Sequence, residues 1–355
     1  MKPVSPPQAE GATLFSRNFL LAWVSSFLFF GSFYLLLPTL PLYVLWNLGG
    51  KESEIGLIIG VFTISAVLVR PFAGRLADEK GRKGLMLLGA LVFFLSSPLY
   101  YFTPTVPWLL GLRLFHGIGI AAFTTGAMAL VADLAPATRR GEAMGFYGMS
   151  PNLAMLAIPA LGIVILNAYG FLVLFLLSAG LAFLSFLLSV PIAERRSPVP
   201  AGPANRGALF SRPALSPAFL AFCLSTTYAA VISFIPLFAI KHELGNPGLF
   251  FMASAATLIL VRAPAGKASD KYGRAFVLVP GMAAVGISMI LLPLATPLWA
   301  FLAVAGLYGL GFGAVQPTLV ALVVDRVGAK ERGAAMGTFT AAFDVGIGLG
   351  SILWG

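Results

Sequence analysis

Long apolar runs alternate with short polar connections along the whole chain. A helix that crosses a bilayer needs about 20 apolar residues. The runs are continuously apolar instead of alternating, and open sheet edges cannot face lipid, so the runs predict helices. The pattern therefore predicts an all-α polytopic membrane protein. Its apolar segments lie near residues 19–44, 55–77, 84–102, 107–132, 143–168, 171–192, 217–240, 249–268, 275–295, 298–324 and 333–355.

Composition supports this prediction and excludes a soluble enzyme. Of the 355 residues, 59% are hydrophobic and 10% are charged, and the mean hydropathy is +0.93. A soluble domain carries about 25% charged residues. The stretches Ala143–Ala193 and Ala275–Val324 contain no Lys, Arg, Asp or Glu, and each can hold two membrane-spanning helices.

The side chains that build metal and catalytic clusters are scarce. Cys223 is the single cysteine, and the two histidines, His116 and His242, lie far apart in sequence. We therefore expect no disulfide framework, no metal and no cofactor. The nucleotide-binding pattern G-x-x-x-x-G-K-[ST] does not occur in the sequence, so ATP is not the expected energy source.

The net charge of +10 comes from cations in short loops, where they set orientation and do not indicate nucleic-acid binding. With the N-terminus in the cytoplasm, 20 of the 23 Lys and Arg residues fall on the inner side, counting Arg70 and Arg262 at inner helix ends. Lys51 and Lys241 fall outside, and Arg113 lies within a helix. The uncharged run Asn18–Gly50 is too long for a cleavable signal and predicts a retained first helix. We expect a multi-pass protein of the cell membrane.

A repeat with an offset of 192 residues organises the chain. Residues 68–82 recur as 260–274, and residues 140–145 have a second copy at 332–337. This is the parallel repeat of a two-bundle transporter. The predicted parts are a cytoplasmic tail (1–17), a six-helix bundle (18–193), a Pro- and Arg-rich cytoplasmic linker (194–216) and a second bundle (217–355).

The second bundle is shorter than the first. Gly355 corresponds to Ile163, which lies inside the fifth predicted helix. The second repeat therefore lacks the end of its fifth helix and all of its sixth. We expect this chain to be a fragment, with roughly 30–40 further apolar-rich residues in the parent gene that include the missing last helix. The alternative is that the fold tolerates the loss.

The loop that begins at Gly74 resembles the signature of the major facilitator superfamily, G-x-L-a-D-r-x-G-r-k. It matches at Gly74, Asp78, Gly81, Arg82 and Lys83. The glycines allow a tight turn and close helix approach. The resemblance implies two bundles of six helices around a central cavity, and a gate at the inner side. The gating residues of the second copy are Gly266, Asp270, Gly273 and Arg274, and the predicted gate partners are Asp133, Arg140, Asp325 and Arg332.

Other motifs resemble the drug:proton antiporter branch of this superfamily. Arg113-Leu-Phe-His116-Gly is similar to the fourth-helix motif R-x-x-Q-G, with His in place of Gln, and residues 37–43 are similar to L-P-x-x-P. The glycine pattern of the fifth helix is degraded, with Ala154, Ile158 and Ile163 at glycine positions. This departure weakens any inference about the direction of transport.

Asp344 is the only acid deep in a predicted helix. It lies about eleven residues beyond Gly333, which places it near the middle of the bilayer at about 1.5 Å per residue. Burial disfavours the charged carboxylate, a property that suits a proton carrier. We expect Asp344 to be the main proton site, with Arg113 as its regulator or as a substrate contact. A hydrogen-bonded acid that closes a helix contact is the alternative.

The resemblance also implies which polar residues face the central cavity, although each could instead serve packing. They are Tyr34, His116, Asn152, Thr227, Tyr228, Tyr308 and Gln316.

The expected function is secondary active transport, with proton-coupled efflux of a small amphipathic or cationic organic compound as the first hypothesis. Proton-coupled uptake of a sugar or organic acid is the alternative, and a membrane-embedded enzyme or a receptor is the least favoured. The expected partners are this small molecule, protons and the lipid bilayer, with no nucleic acid, and the protein is expected to be a monomer.

The loop motif generates a first prediction. Asp78→Asn should reduce transport in membrane vesicles while membrane insertion stays intact, because charge-assisted contacts of this kind bias a two-state equilibrium by a few kcal/mol. Unchanged transport rates would remove the gating role.

Overall fold

A computed structural model describes residues 15–136, 139–194, 211–327 and 332–355. The described residues form α-helices joined by short turns, and the predicted all-α class is confirmed. The α-helices are α1 (Arg17–Leu36), α2 (Leu40–Trp46), α3 (Glu52–Lys80), α4 (Arg82–Leu99), α5 (Val106–Leu134), α6 (Arg140–Ser189), α7 (Leu215–Lys241), α8 (Gly248–Tyr272), α9 (Arg274–Leu291), α10 (Leu298–Arg326) and α11 (Arg332–Trp354).

The first predicted segment is divided into two helices by its prolines. Helix α1 ends at Leu36, and α2 begins at Leu40 with Pro41 in its first turn. Pro38, between them, lacks the backbone N–H that a continuing helix would need. The L-P-x-x-P motif therefore acts here as a helix break.

The fifth and sixth predicted segments both lie within α6, which folds back on itself at Gly170. At about 1.5 Å per residue its 50 residues would extend roughly 75 Å, more than twice the thickness of the hydrocarbon layer. Gly170 interrupts it with φ 75° and ψ −179°. Ser26 of α1 donates to the Tyr147 hydroxyl at 3.1 Å, and the neighbouring Ser25 bonds Ser189 at 2.8 Å. Since both ends of α6 reach the same level of α1, the element crosses twice.

The described residues thus contain ten stretches of membrane-spanning length, from α1–α2 to α11. The α6 stretch supplies two of the eleven predicted crossings. Helices that start or end at Arg17, Arg82, Arg274 and Arg326 share one end of the molecule, which we call the basic end. The other end, which includes Gly170, is called the opposite end.

The 192-residue repeat is visible in the backbone. Gly81, between α3 and α4, has φ 102°, and Gly273, between α8 and α9, has φ 92°. These values favour glycine, because a Cβ is strained in this region. By contrast, Gly74 and Gly266 leave room for a Cβ among the described residues, so close approach does not explain these two glycines.

Helix crossings repeat with the same offset. In α5, Gly117 packs on the backbone of Phe62 in α3, and in α10, Gly309 packs on the backbone of Ser254 in α8. A side chain at either glycine would overlap the carbonyl oxygen that it faces. The sequence repeat is therefore a repeat of packing geometry.

Helices α1–α6 pack mainly on one another, and so do α7–α11. These two groups, called the halves, contact each other chiefly through α3 with α11 and α6 with α8. At the opposite end Gly60 packs on Gly348 and Ile352, and the Asn246 side chain donates to the Ala160 carbonyl at 2.9 Å. The halves are thus in close contact at the opposite end. Most of the predicted linker lies outside the described residues.

The glycine crossings predict that one added methyl group measurably lowers the stability of the protein. Gly309→Ala should destabilise the protein by about 1–3 kcal/mol, because the Cβ would overlap the Ser254 carbonyl. Thermal unfolding in detergent would show this as a lower Tm. Gly286→Ala in α9 is the matched control, since its methyl group would meet open space. Equal midpoints for both variants would contradict tight packing at Gly309.

Candidate functional site

A cavity of about 220 Å³ lies between the halves and contains the three charged residues Arg70, Arg113 and Asp344 in its wall. The remainder of the wall is mainly apolar, with Phe33 and Phe62 among its side chains. A mostly apolar cavity with a few convergent polar groups is typical of a small-molecule site.

The acid predicted to lie deep in the membrane has an arginine partner in the other half. Asp344 of α11 forms an ion pair with Arg70 of α3, and the Asp344 residue is only 8% exposed. The loop-charge count predicts Arg70 at a helix end, which is wrong. Arg70 lies ten residues before the end of α3 at Lys80 and reaches into the cavity. The pair is therefore a polar contact between the halves.

Arg113 is held by groups of its own half. Its Nε donates to the Ile58 carbonyl at 3.2 Å, and its Nη1 donates to the Tyr100 hydroxyl at 3.4 Å. The guanidinium lies 4.0 Å from the centre of the Phe62 ring, a cation–π contact. Arg113 shares the cavity with Asp344, but the Asp344 carboxylate pairs with Arg70.

His116 lies behind the cavity wall. It is completely buried, its Nδ1 is 2.6 Å from the Tyr100 hydroxyl, and its ring packs 3.9 Å from the centre of Phe93. His116 is not among the residues that line this cavity or the second cavity, which is described next. His116 thus supports Tyr100, and through Tyr100 it supports Arg113.

A second cavity, of about 360 Å³, adjoins the first and shares Tyr228 and Phe343 with it. Five of the residues predicted to face a cavity lie in its wall: Tyr34, Asn152, Tyr228, Tyr308 and Gln316. The centres of the Tyr228 and Phe312 rings are 5.4 Å apart, which makes one side of this cavity aromatic. Thr227 lies behind this wall, with its hydroxyl 3.3 Å from that of Tyr308.

Arg262 also lies in the wall of the second cavity, 3.5 Å from the Gln316 carbonyl oxygen. The loop-charge count predicts it at a helix end, like Arg70, and this is wrong for the same reason. The sequence did contain a signal that these arginines lie within the helices. Both lie inside an apolar run, at the same place in both copies of the repeat.

The loops of the basic end are held by matched ion pairs. Arg82 pairs with Asp133 and donates to the Ala129 carbonyl at 3.2 Å. In the second copy, Arg274 pairs with Asp325 at 2.8 Å and with Asp270 at 2.5 Å. Each pair with Asp133 or Asp325 joins helices of one half.

The remaining predicted gating residues are Lys83, Asp78, Arg140 and Arg332. Lys83 is half-buried at the start of α4. The side chains of Asp78, Arg140 and Arg332 lie outside the described residues, so their gating roles stay predictions. Glu194 was not predicted: its carboxylate accepts a hydrogen bond from the Arg82 backbone N–H at 2.6 Å. It satisfies a free N–H in the first turn of α4.

A family model and individual relatives that match this sequence agree on one protein family. The sequence model of the Major Facilitator Superfamily matches residues 22–351. A homologue of the multidrug resistance efflux pump PmrA in Lactococcus lactis is 29% identical over 339 residues, covering 89% of this chain and 81% of the relative. The multidrug resistance protein MdtG of a Rahnella species is 30% identical over 347 residues, covering 91% and 83%.

Solved structures share the fold. A bacterial homologue of the human lysosomal transporter Spinster, in an inward-facing and unoccupied conformation, matches with a TM-score of 0.79 and 16% identity, covering 97% of this chain and 82% of the other. The inward open xylose transporter XylE from E. coli matches with a TM-score of 0.75 and 19% identity, covering 96% and 89%.

The contacts of Arg113 predict a role for the shape of its side chain. Arg113→Lys should destabilise the protein by about 1–2 kcal/mol, because an ammonium cannot reproduce the planar fork that contacts Ile58, Tyr100 and Phe62 together. Thermal unfolding in detergent measures this loss. Arg75→Lys, at an exposed arginine of α3, should leave the Tm unchanged. Equal shifts in both variants would show that the guanidinium contacts contribute nothing specific.

Proposed function

Because the chain belongs to the major facilitator superfamily of membrane transporters, we propose that it exports small organic compounds in exchange for protons. It is a multi-pass membrane protein, and its relatives PmrA and MdtG are named as multidrug resistance proteins. Their similarity extends over most of this chain, which supports export as the direction of transport.

The Arg70–Asp344 ion pair is the observation that carries the proposal. A proton-driven transporter needs a group that is charged in one conformation and neutral in another. Asp344 sits in a largely apolar wall, where its charge depends on the presence of Arg70. Movement of α11 away from α3 would remove the counter-charge and favour protonation. The charge of Asp344 is thereby linked to the relative position of the halves.

The contacts between the halves support alternating access. The halves are in close contact at the opposite end, where Gly60 meets Gly348. We assign the basic end to the cytoplasm, because Lys and Arg accumulate on the cytoplasmic side of membrane proteins. In this assignment the structure is closed towards the outside. Rocking of one half against the other would then open the outer side.

The ion pairs of the basic end would keep each half rigid during this movement. Arg82–Asp133 fixes the α3–α4 loop to α5, and Arg274–Asp325 fixes the α8–α9 loop to α10. A loop fixed in this way moves with its own half. The gating that we propose for the loop motif would therefore act through whole-half movement.

The proposed coupling predicts that Asp344→Asn abolishes pH-gradient-driven accumulation in inside-out vesicles. A neutral amide can neither release a proton nor form the ion pair with Arg70. Substrate binding to the purified protein, measured by equilibrium dialysis, should persist. The expected result is therefore a loss of uphill transport without a loss of binding.

Glu243→Gln is the control for this experiment, since Glu243 is exposed in the turn after α7 and is not among the residues that line either cavity. It should transport like the original protein. If Asp344→Asn still accumulates substrate with the original pH dependence, Asp344 is structural. The proton would then have to use Asp133, Asp325 or another group.

A further inference from the structure

The two cavities carry an excess of positive charge. Their described charged wall residues are Arg70, Arg113, Arg262 and Asp344. Three arginines face one aspartate, so the walls hold a formal charge of two positive units when Asp344 is ionised. A purely cationic compound would be repelled by this arrangement, and an acidic group would be attracted.

Arg262 is the arginine whose charge remains available. Among the described residues the ion pairs involve Arg70, Arg82, Arg139 and Arg274, and none involves Arg262. Its hydrogen bond to the Gln316 carbonyl oxygen is 3.5 Å long, which is at the upper limit for such contacts. Arg113, by comparison, is engaged by Ile58, Tyr100 and Phe62. The side chain of Arg262 therefore has donors free for a ligand.

The repeat explains why Arg262 lacks an acid. With the offset of 192 residues, Arg262 corresponds to Arg70, and Asn152 corresponds to Asp344. Asn152 lies in the same cavity wall as Arg262, and its amide donates to the Gly148 carbonyl at 2.8 Å. The pair of Arg70 and Asp344 joins the first copy of the repeat to the second. At the equivalent positions, Arg262 of the second copy has the uncharged amide of Asn152, from the first copy, where the carboxylate would be.

We propose that Arg262 binds an acidic group of the transported compound, and that the aromatic wall formed by Tyr228, Tyr308 and Phe312 holds an aromatic part of it. The guanidinium matches a carboxylate through two parallel hydrogen bonds. Tyr228 and Tyr308 lie 5.4 and 5.8 Å from Phe312 between ring centres, and together they present an apolar surface beside the charge. This inference rests on the proposed transport function and specifies its substrate class.

Binding of a matched pair of probes to the purified protein tests the inference. Dansylglycine carries a carboxylate, and dansylglycine amide has the same aromatic body without the charge. We expect dansylglycine to bind about tenfold more tightly, the ratio given by one charge-assisted contact. Fluorescence titration in detergent measures both affinities without a pH gradient.

Two substitutions should remove this preference in different ways. Arg262→Gln deletes the charge. Asn152→Asp keeps the arginine and supplies it with an internal carboxylate, as Asp344 does for Arg70. Each should bring the two affinities to within about twofold, while Arg75→Gln, at the exposed arginine of α3, should retain the original ratio.

The inference is overturned if the original protein binds both probes equally or neither of them, or if the preference survives in both Arg262→Gln and Asn152→Asp. Should Arg262→Gln fail to fold, Asn152→Asp alone decides, because it leaves the arginine in place. The proposed function fails separately. If inside-out vesicles show no gradient-driven accumulation while the preference depends on Arg262, export is wrong and the acid site stands.

Discussion

A charged side chain inside an apolar helical bundle needs a partner, because its apolar surroundings solvate it poorly. An unpaired ion in the membrane interior costs at least about 2.5–3.5 kcal/mol. Arg70 and Asp344 meet this requirement across the two halves, and Arg113 meets it with a carbonyl, a hydroxyl and a ring face. Since the first pair joins α3 to α11, the solvation of two charges depends on how the halves are arranged. In the proposed mechanism, that dependence links the protonation of Asp344 to the conformation of the protein.

The two copies of the repeat share their helix packing, and they differ at two charged residues of the cavity. Glycine crossings such as Gly117 and Gly309 recur in both halves, because each half must bring its helices equally close. Arg113 corresponds to Ala305 and Asp344 to Asn152, so each half has one charged cavity residue that the other half lacks at the equivalent position.

The helices could be predicted from sequence because hydrophobic length and loop charge decide them. The apolar runs and the repeat led to the correct helix order, and the resemblance of the loop at Gly74 to a family signature led to the correct family. The break at Gly170 was also predicted, because the segments 143–168 and 171–192 lie on either side of it.

The positions of individual polar side chains were harder to predict. Counting basic residues assigns Arg70 and Arg262 to inner helix ends, because the count depends on how near a residue lies to a loop and not on where its side chain points. The side chain of Arg70 is directed by the helix surface on which it lies, and its partner Asp344 is 274 residues away. His116 was expected in the cavity because its helix lines it, yet it lies on the face that packs against Phe93. Such assignments require the rotation of each helix about its axis, which the family resemblance leaves open.

Antiport of an acidic compound poses a specific physical question. A bound anion favours protonation of a nearby Asp344 by electrostatic attraction, which by itself would load the proton and the compound together. A conformational change must therefore prevent the proton and the compound from being bound at the same time. In the arrangement closed at the opposite end, Asp344 pairs with Arg70. In the proposed mechanism this pair forms after the proton has left, and the compound enters afterwards. The compound and the proton would thus bind to different conformations. The conformation with the Arg70–Asp344 pair formed would accept the compound, and the conformation with the pair broken would accept the proton.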